Sequence, residues 1–233
     1  MPERGAAETR AGLAERAYRE LRAAIAGGRL AARTPLSEAV VARMLGVSRT
    51  PVRLALRRCE LEGYLERDAS GRLLVHPLTV DEVANLFFVR ELLEGYAARL
   101  AALRISDEEL ERLDELVAED VVALEREDIE GLARINHRLH AIVLDASRNR
   151  TLRDVVDSLR DRVFGLTAFV VGSRSERRQF VDEHARLVGL LHEGDADAAE
   201  ELARGHLRRA RDLLLRDLDG DDEVDLERVA APR

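Results

Sequence analysis

The stretch from Ser37 to Arg53, Ser-Glu-Ala-Val-Val-Ala-Arg-Met-Leu-Gly-Val-Ser-Arg-Thr-Pro-Val-Arg, constrains the fold more than any other segment of the chain. It reads as two short helices joined by a tight turn. Ser37 is a suitable N-cap, and Val41, Met44 and Leu45 follow at helical spacing. Gly46 can take the left-handed conformation that ends such a helix, and Val47 turns inward to set the angle between the two. Ser48 caps the second helix, and Pro51 sits in its first turn, where a missing N–H costs little. Val52, Leu54, Ala55, Leu56 and Cys59 include its core-facing positions. This is the sequence form of a helix-turn-helix.

The second helix opens with basic and hydroxyl side chains. Ser48, Arg49, Thr50 and Arg53 lie at its exposed start, where a helix entering a DNA groove meets base edges, and Arg57 and Arg58 lie further along, where phosphates run. After Gly63, residues 64–67 and 72–76 read as two short strands around an Asp68-Ala69-Ser70-Gly71 turn. A hairpin in that place is a wing, and its tip, Ser70-Gly71-Arg72, can reach a minor groove or a phosphate. An arginine-rich helix alone is most often a solvated face. Here the caps, the turn glycine, the Ser-Arg-Thr-Pro start and the wing agree, so the segment points to double-stranded DNA. One more helix, over 8–26, is expected to pack against it.

The formal net charge of −8, taken as a total, argues against a DNA partner, but its distribution does not. Residues 1–77 carry 14 Arg against 9 Asp and Glu, a net of +5, and residues 78–233 carry 23 Arg against 36 acidic residues, a net of −13. A basic N-terminal module is joined to an acidic C-terminal one. No apolar run is long enough to span a bilayer, and the N-terminus has no signal-peptide core. The single cysteine, Cys59, cannot form an internal disulfide and reads as a small apolar core residue. A cytoplasmic protein is expected.

His76-Pro77 marks the boundary between a DNA-binding domain over 8–77 and a second domain over 78–218. The second reads as helices at 80–103, 109–126, 129–147, 152–171, 176–192 and 196–218, with a capping box at Ser106-Asp107-Glu108-Glu109. Long helices joined by short loops make an antiparallel bundle. The acidic tail, 219–233, is expected to be disordered. The fold class is therefore mainly α: a winged helix-turn-helix with a two-stranded wing, followed by a helical bundle.

Within the bundle, Asn136 and His140 are four residues apart and share a helix face. His184 and His206 fall on the next-to-last and last helices, which adjacency can bring together. Three imidazoles and an amide oxygen then converge in a set that suits Zn, Ni, Cu, Fe or Mn. Each histidine has an ordinary structural explanation as well, and His137 and His192 are read that way. Arg90 and Glu94 are either a surface i,i+4 ion pair or a cation aimed into the bundle to fix a carboxylate. There is no phosphate loop, nucleophile elbow or cysteine pair.

Together these residues resemble a known family. Leu36-Ser37-Glu38, Leu-Gly-Val-Ser-Arg-Thr-Pro-Val-Arg and Glu62-Gly63-Tyr64-Leu65 are similar to the winged-helix module of GntR-family transcriptional regulators. Val89-Arg90-Glu91-Leu92-Leu93-Glu94, Asn136-His137-Arg138-Leu139-His140, Asp182-Glu183-His184 and Gly205-His206-Leu207 resemble the FCD ligand-binding domain of the FadR subfamily. The resemblance implies a homodimer on a palindromic operator, usually a repressor, with a small carboxylate metabolite as effector. It implies DNA contacts at Arg49, Thr50, Arg53 and Gly71, and a divalent metal, Zn first with Ni or Mn as alternatives, on Asn136, His140, His184 and His206. Arg90 would meet the carboxylate of the effector. Three positions depart from the pattern: Ala39 stands where Arg is common, Leu54 where Glu is usual, and Leu139 where Phe is usual. Two other functions compete. One is a metal-dependent enzyme using the histidine cluster. The other is an architectural DNA-binding protein whose bundle core is purely apolar.

Overall fold

The computed structural model describes residues 9–163 and 172–217. The tail, and the end of the helix expected to run to 171, lie outside the described residues. The chain divides after Leu78 into two compact units.

The first unit opens with α1 (Arg10–Ala26), capped by Thr9, whose side chain accepts from the Gly12 N–H at 3.1 Å. Its buried face is Ala17, Tyr18, Leu21, Ala24 and Ile25, a spacing that gathers one helical side toward the core. The short β1 (Pro35–Leu36) precedes α2 (Glu38–Leu45). The Ser37 hydroxyl caps α2, and Gly46 ends it with φ 66° and ψ 28°, the left-handed conformation its lack of a Cβ permits. α3 (Arg49–Leu61) follows Ser48, which stands at the N-cap but makes no side-chain cap hydrogen bond. Pro51, Val52, Ala55, Leu56 and Cys59 face inward. Leu54 does not: it is 53% exposed, on the same side as Arg53 and Arg57, because its place in the helical period falls opposite Val52 and Cys59.

β2 (Leu65–Arg67) and β3 (Leu73–Val75) form the wing. The sheet has three strands rather than two, in the order β1-β3-β2, all antiparallel, with Leu36 opposite Leu73 and Leu65 opposite Val75. Asp68 Oδ1 accepts from Ser70 N at 2.9 Å and Arg72 N at 3.0 Å, which holds the wing turn. Gly71 completes the turn at φ 81°.

The second unit is a bundle of α4 (Val80–Ala102), α5 (Asp107–Glu125), α6 (Ile129–Ala146), α7 (Arg150–Arg162), α8 (Arg174–Glu193) and α9 (Ala196–Asp217). Capping boxes start α4 (Thr79 with Glu82), α5 (Ser106 with Glu109) and α8 (Ser173 with Glu176). α9 packs along α4 and against α8, and α5 packs on α6 and α8. Leu113, Leu116, Leu124, Leu139, Val143, Leu187 and Leu191 fill the core between them. No described helix is long and apolar enough to cross a membrane.

Candidate metal centre and nucleic-acid interface

Three helices deliver three imidazoles to one point in the bundle. His140 comes from α6, His184 from α8 and His206 from α9. They are 7%, 3% and 7% exposed, and one nitrogen from each lies within 4.8 Å of the others. His140 Nε2 and His206 Nε2 are 3.3 Å apart.

The other face of each ring meets a carboxylate. Asp120 of α5 lies 2.6 Å from His184 Nδ1, and Glu183 lies 3.0 Å from His206 Nδ1. Glu94 of α4 approaches His140 Nδ1 to 3.7 Å. Carboxylates on Nδ1 favour the tautomer whose proton sits there, leaving the Nε2 lone pairs turned to the centre. His184 Nε2 is buried with no hydrogen-bond partner, and His140 Nε2 and His206 Nε2 meet at 3.3 Å, two opposed lone pairs whenever both rings carry their proton on Nδ1. A cation relieves both conditions. Two imidazole nitrogens bound at ~2.05 Å with tetrahedral angles would themselves stand about 3.3 Å apart. The donor set fits a divalent transition metal.

Burial, with the neighbouring imidazole and guanidinium charges, holds His140 well below the ordinary imidazole range. Burial likewise lowers His206, against the opposing pull of Glu183. Both are thus kept neutral, the form that can ligate. Burial by itself would raise Glu94 and Glu183. The Arg90 and Arg160 charges hold Glu94 low, and His206 with Arg209 hold Glu183 low.

A cavity of about 410 Å³ opens beside the three rings. Asn136 and His137 line it, together with Arg90, Arg160, Phe87 and Phe180. Asn136 thus stands one helical turn before His140, on the cavity side. Arg90 and Glu94 are not a surface pair: both are buried, with Arg90 Nε donating to Glu94 Oε1 at 2.8 Å. His192 pairs with Asp114 on the surface, apart from the cluster. Sequence reasoning missed Asp120, Glu183 and Arg160, each of which meets its partner only through the tertiary fold. A bundle core filled only by apolar side chains, the mark of an architectural protein, is not what this cavity presents.

In the first unit, Ser48, Arg49, Thr50, Arg53 and Arg57 are exposed along one side of α3, and Gly71 and Arg72 are exposed in the wing. Arg53 is held by Glu38 of α2 through two hydrogen bonds, 2.6 Å at Nε and 3.0 Å at Nη2. Arg72 Nε donates to Asp68 at 2.7 Å. Arg58, read from sequence as a phosphate contact, is half exposed and packs on α1. Its guanidinium carbon lies 3.7 Å from the Tyr18 ring centroid, and it donates to Glu62 at 2.8 Å and Glu15 at 2.9 Å.

Comparison with known proteins decides the family. Residues 13–75 match the family described as bacterial regulatory proteins, gntR family, and residues 85–209 match the FCD domain. The chain is a GntR-family transcriptional regulator. As a member of this family it is a DNA-binding regulator and not an enzyme. Its FCD domain accords with the FadR subfamily. The chain is 26% identical over 191 residues to the uncharacterized HTH-type transcriptional regulator YdhC of Bacillus subtilis, covering 81% of this chain and 85% of that one. It is 30% identical over 183 residues to the probable D-xylose utilization operon transcriptional repressor of Paenarthrobacter nicotinovorans, covering 78% and 80%. Among solved structures, E. coli McbR/YncC shares the fold with a TM-score of 0.76 at 20% identity, covering 89% of this chain and 99% of that one.

Proposed function

We propose that this GntR-family regulator is a metabolite-responsive repressor acting in the cytoplasm. It binds a palindromic operator as a homodimer, and a small organic acid bound at a metal site in the FCD bundle modulates its operator affinity. The observation that carries the reading is the convergence of three buried imidazoles whose Nδ1 atoms face carboxylates, with His184 Nε2 left unpartnered.

His140, His184 and His206 would hold the ion, with Asn136 offering an amide oxygen, a weaker donor than a carboxylate. Bound there, the ion supplies open coordination positions for a carboxylate oxygen. Arg90 orients that carboxylate by hydrogen bonding, and Asp120 and Glu183 hold His184 and His206 in register. An acid shifts operator affinity only as far as it binds one arrangement of the bundle better than another.

Arg49, Thr50 and Arg53, supported by Ser48 and Arg57, read the major groove, while Gly71 and Arg72 of the wing meet the adjacent backbone. Half-sites one turn apart require two-fold symmetry. Phe88, Leu92 and Tyr96 recur every fourth residue on α4 and are 55%, 40% and 48% exposed, a stripe suited to an isologous contact with a second copy. A repressor role agrees with the name of the P. nicotinovorans relative.

The test is metal content of protein purified after metal-replete growth, for wild type and His140→Ala/His184→Ala. About one ion per chain in the wild type and a large loss in the variant are expected. Near-zero metal in the wild type, or equal metal in both, would leave the histidines as ordinary core groups. Sedimentation with and without operator checks the dimer.

A further inference from the structure

We propose that the acid received by the bundle cavity is amphipathic, a monocarboxylate carrying an aryl or medium-chain hydrocarbon body, rather than a compact hydroxy acid or a polycarboxylate. This rests on the reading that the cavity takes an acid, and it goes further by naming the class from the walls.

Five arginines line the cavity, and two of them are buried. Arg90 and Arg160 are 5% and 8% exposed, and in each the Nη1 atom is buried without a hydrogen-bond partner. Arg90 is already fixed from one side by Glu94 and lies 4.7 Å over the Phe87 ring. Arg160 is close enough to Glu94, Arg90 and His140 for their charges to act on one another. Two orphan guanidinium donors beside three imidazoles make a receptor for one carboxylate, whose oxygens satisfy N–H groups that otherwise cost free energy.

Much of the remaining wall is carbon, although Asn136, His137 and the half-buried Arg177, whose Nη1 donates to the Gly172 carbonyl at 3.0 Å, line it too. Phe87, Leu132, Phe180, Val181 and Leu207 line it and offer a ligand no donor. Arg134 and Arg138 also border the cavity, but they are 65% and 60% exposed and face Asp128 and Glu119 respectively. A second carboxylate placed against the Leu132 and Leu207 side chains would lose its water without gaining a partner from them. The volume, about 410 Å³, is that of sites for drug-sized ligands and leaves a three- or four-carbon acid surrounded by empty or watered space. A hydrocarbon body fills that space and removes both its own surface and the wall's from water.

The experiment is calorimetric titration of the full-length protein, with its metal content measured on the same preparation. The probes are butanoate, hexanoate, octanoate, phenylacetate, citrate, octanedioate and octan-1-ol. Affinity is expected to rise about fourfold per added methylene between butanoate and octanoate, the equivalent of ~0.8 kcal/mol for each buried CH₂. Octanoate should exceed octanedioate and citrate at least tenfold, and octan-1-ol should bind far more weakly than octanoate. Phe180→Ser should flatten the chain-length dependence, and Arg160→Gln should weaken all carboxylates together. If either variant fails to fold by circular dichroism, the wild-type series still decides. Tighter binding of citrate or octanedioate overturns the proposal, as does affinity independent of chain length or no acid binding at all. A second series on chelator-treated protein separates the two readings. Equal octanoate affinity in the metal-loaded and metal-free chains would uncouple the acid from the ion and leave the amphipathic acid standing, whereas a metal-loaded chain preferring citrate would overturn the amphipathic acid and leave the metal-bound acid standing.

Discussion

Asp120 Oδ2 lies 2.6 Å from His184 Nδ1, across 64 positions of sequence, and both side chains are buried. The carboxylate fixes which nitrogen of the ring carries the proton and which is free. Replacing it with an amide keeps the shape and removes the charge. Asp120→Asn is therefore expected to lower metal affinity by about 10–100-fold. Competition with a chromophoric chelator measures it, and an unchanged affinity would assign Asp120 to packing alone.

The buried imidazoles also set a pH window. His140 and His206 have folded values depressed by burial, while an unfolded imidazole titrates near ~6.5. Below that point the unfolded chain takes up protons that the folded chain refuses, so stability is present above it and drains away as pH falls. Melting temperature of the metal-free protein is expected to decline from about pH 6.5 downward. The decline should shrink in His140→Asn/His206→Asn. A profile in the double variant identical to wild type would mean other groups set the window.

For DNA, Arg49→Ala and Arg53→Ala should each cost about 1–3 kcal/mol of operator binding. The Glu38 carboxylate occupies the same fork on Arg53 that a guanine edge would use. Glu38→Gln is accordingly expected to tighten operator binding in the wild-type background and to do nothing in Arg53→Ala. A double-mutant cycle by fluorescence anisotropy reports this directly, and additive effects would uncouple the pair.

Cys59 is fully buried, and burial pushes its thiol up to about 12. The thiolate is the reactive form, so the native protein should resist a disulfide reagent at neutral pH and react only as fast as the first unit opens. Prompt stoichiometric labelling of native protein would contradict the packing described.

Much of this was open to reading in the sequence, for local reasons. Ser37, Gly46 and the Ser106–Glu109 box are signals whose partners sit three or four residues away. The two-residue β1 carries no periodic signal and exists because β3 has an edge for it to pair with. Leu54 points outward despite its apolar side chain, because apolar character alone does not give a residue its direction on a helix. The histidines could be singled out by spacing, but Asp120, Glu183 and Arg160 could not, since nothing in the chain marks which of many charged residues the bundle will turn inward. The Arg90–Glu94 spacing was visible, whereas its burial was a tertiary fact.

The knot around Tyr18 gives α1 an influence beyond its own sequence. Tyr18 donates its hydroxyl hydrogen to Glu62, its ring lies under Arg58, and Arg58 reaches on to Glu15, so the C-terminal end of α3 is pinned to a helix that carries none of the proposed DNA contacts. α1 therefore acts as a keel, setting the pitch at which Arg49 and Arg53 are presented. Changes at Tyr18 or Glu15 would register as misreading of the operator by a protein whose DNA-facing residues are all intact.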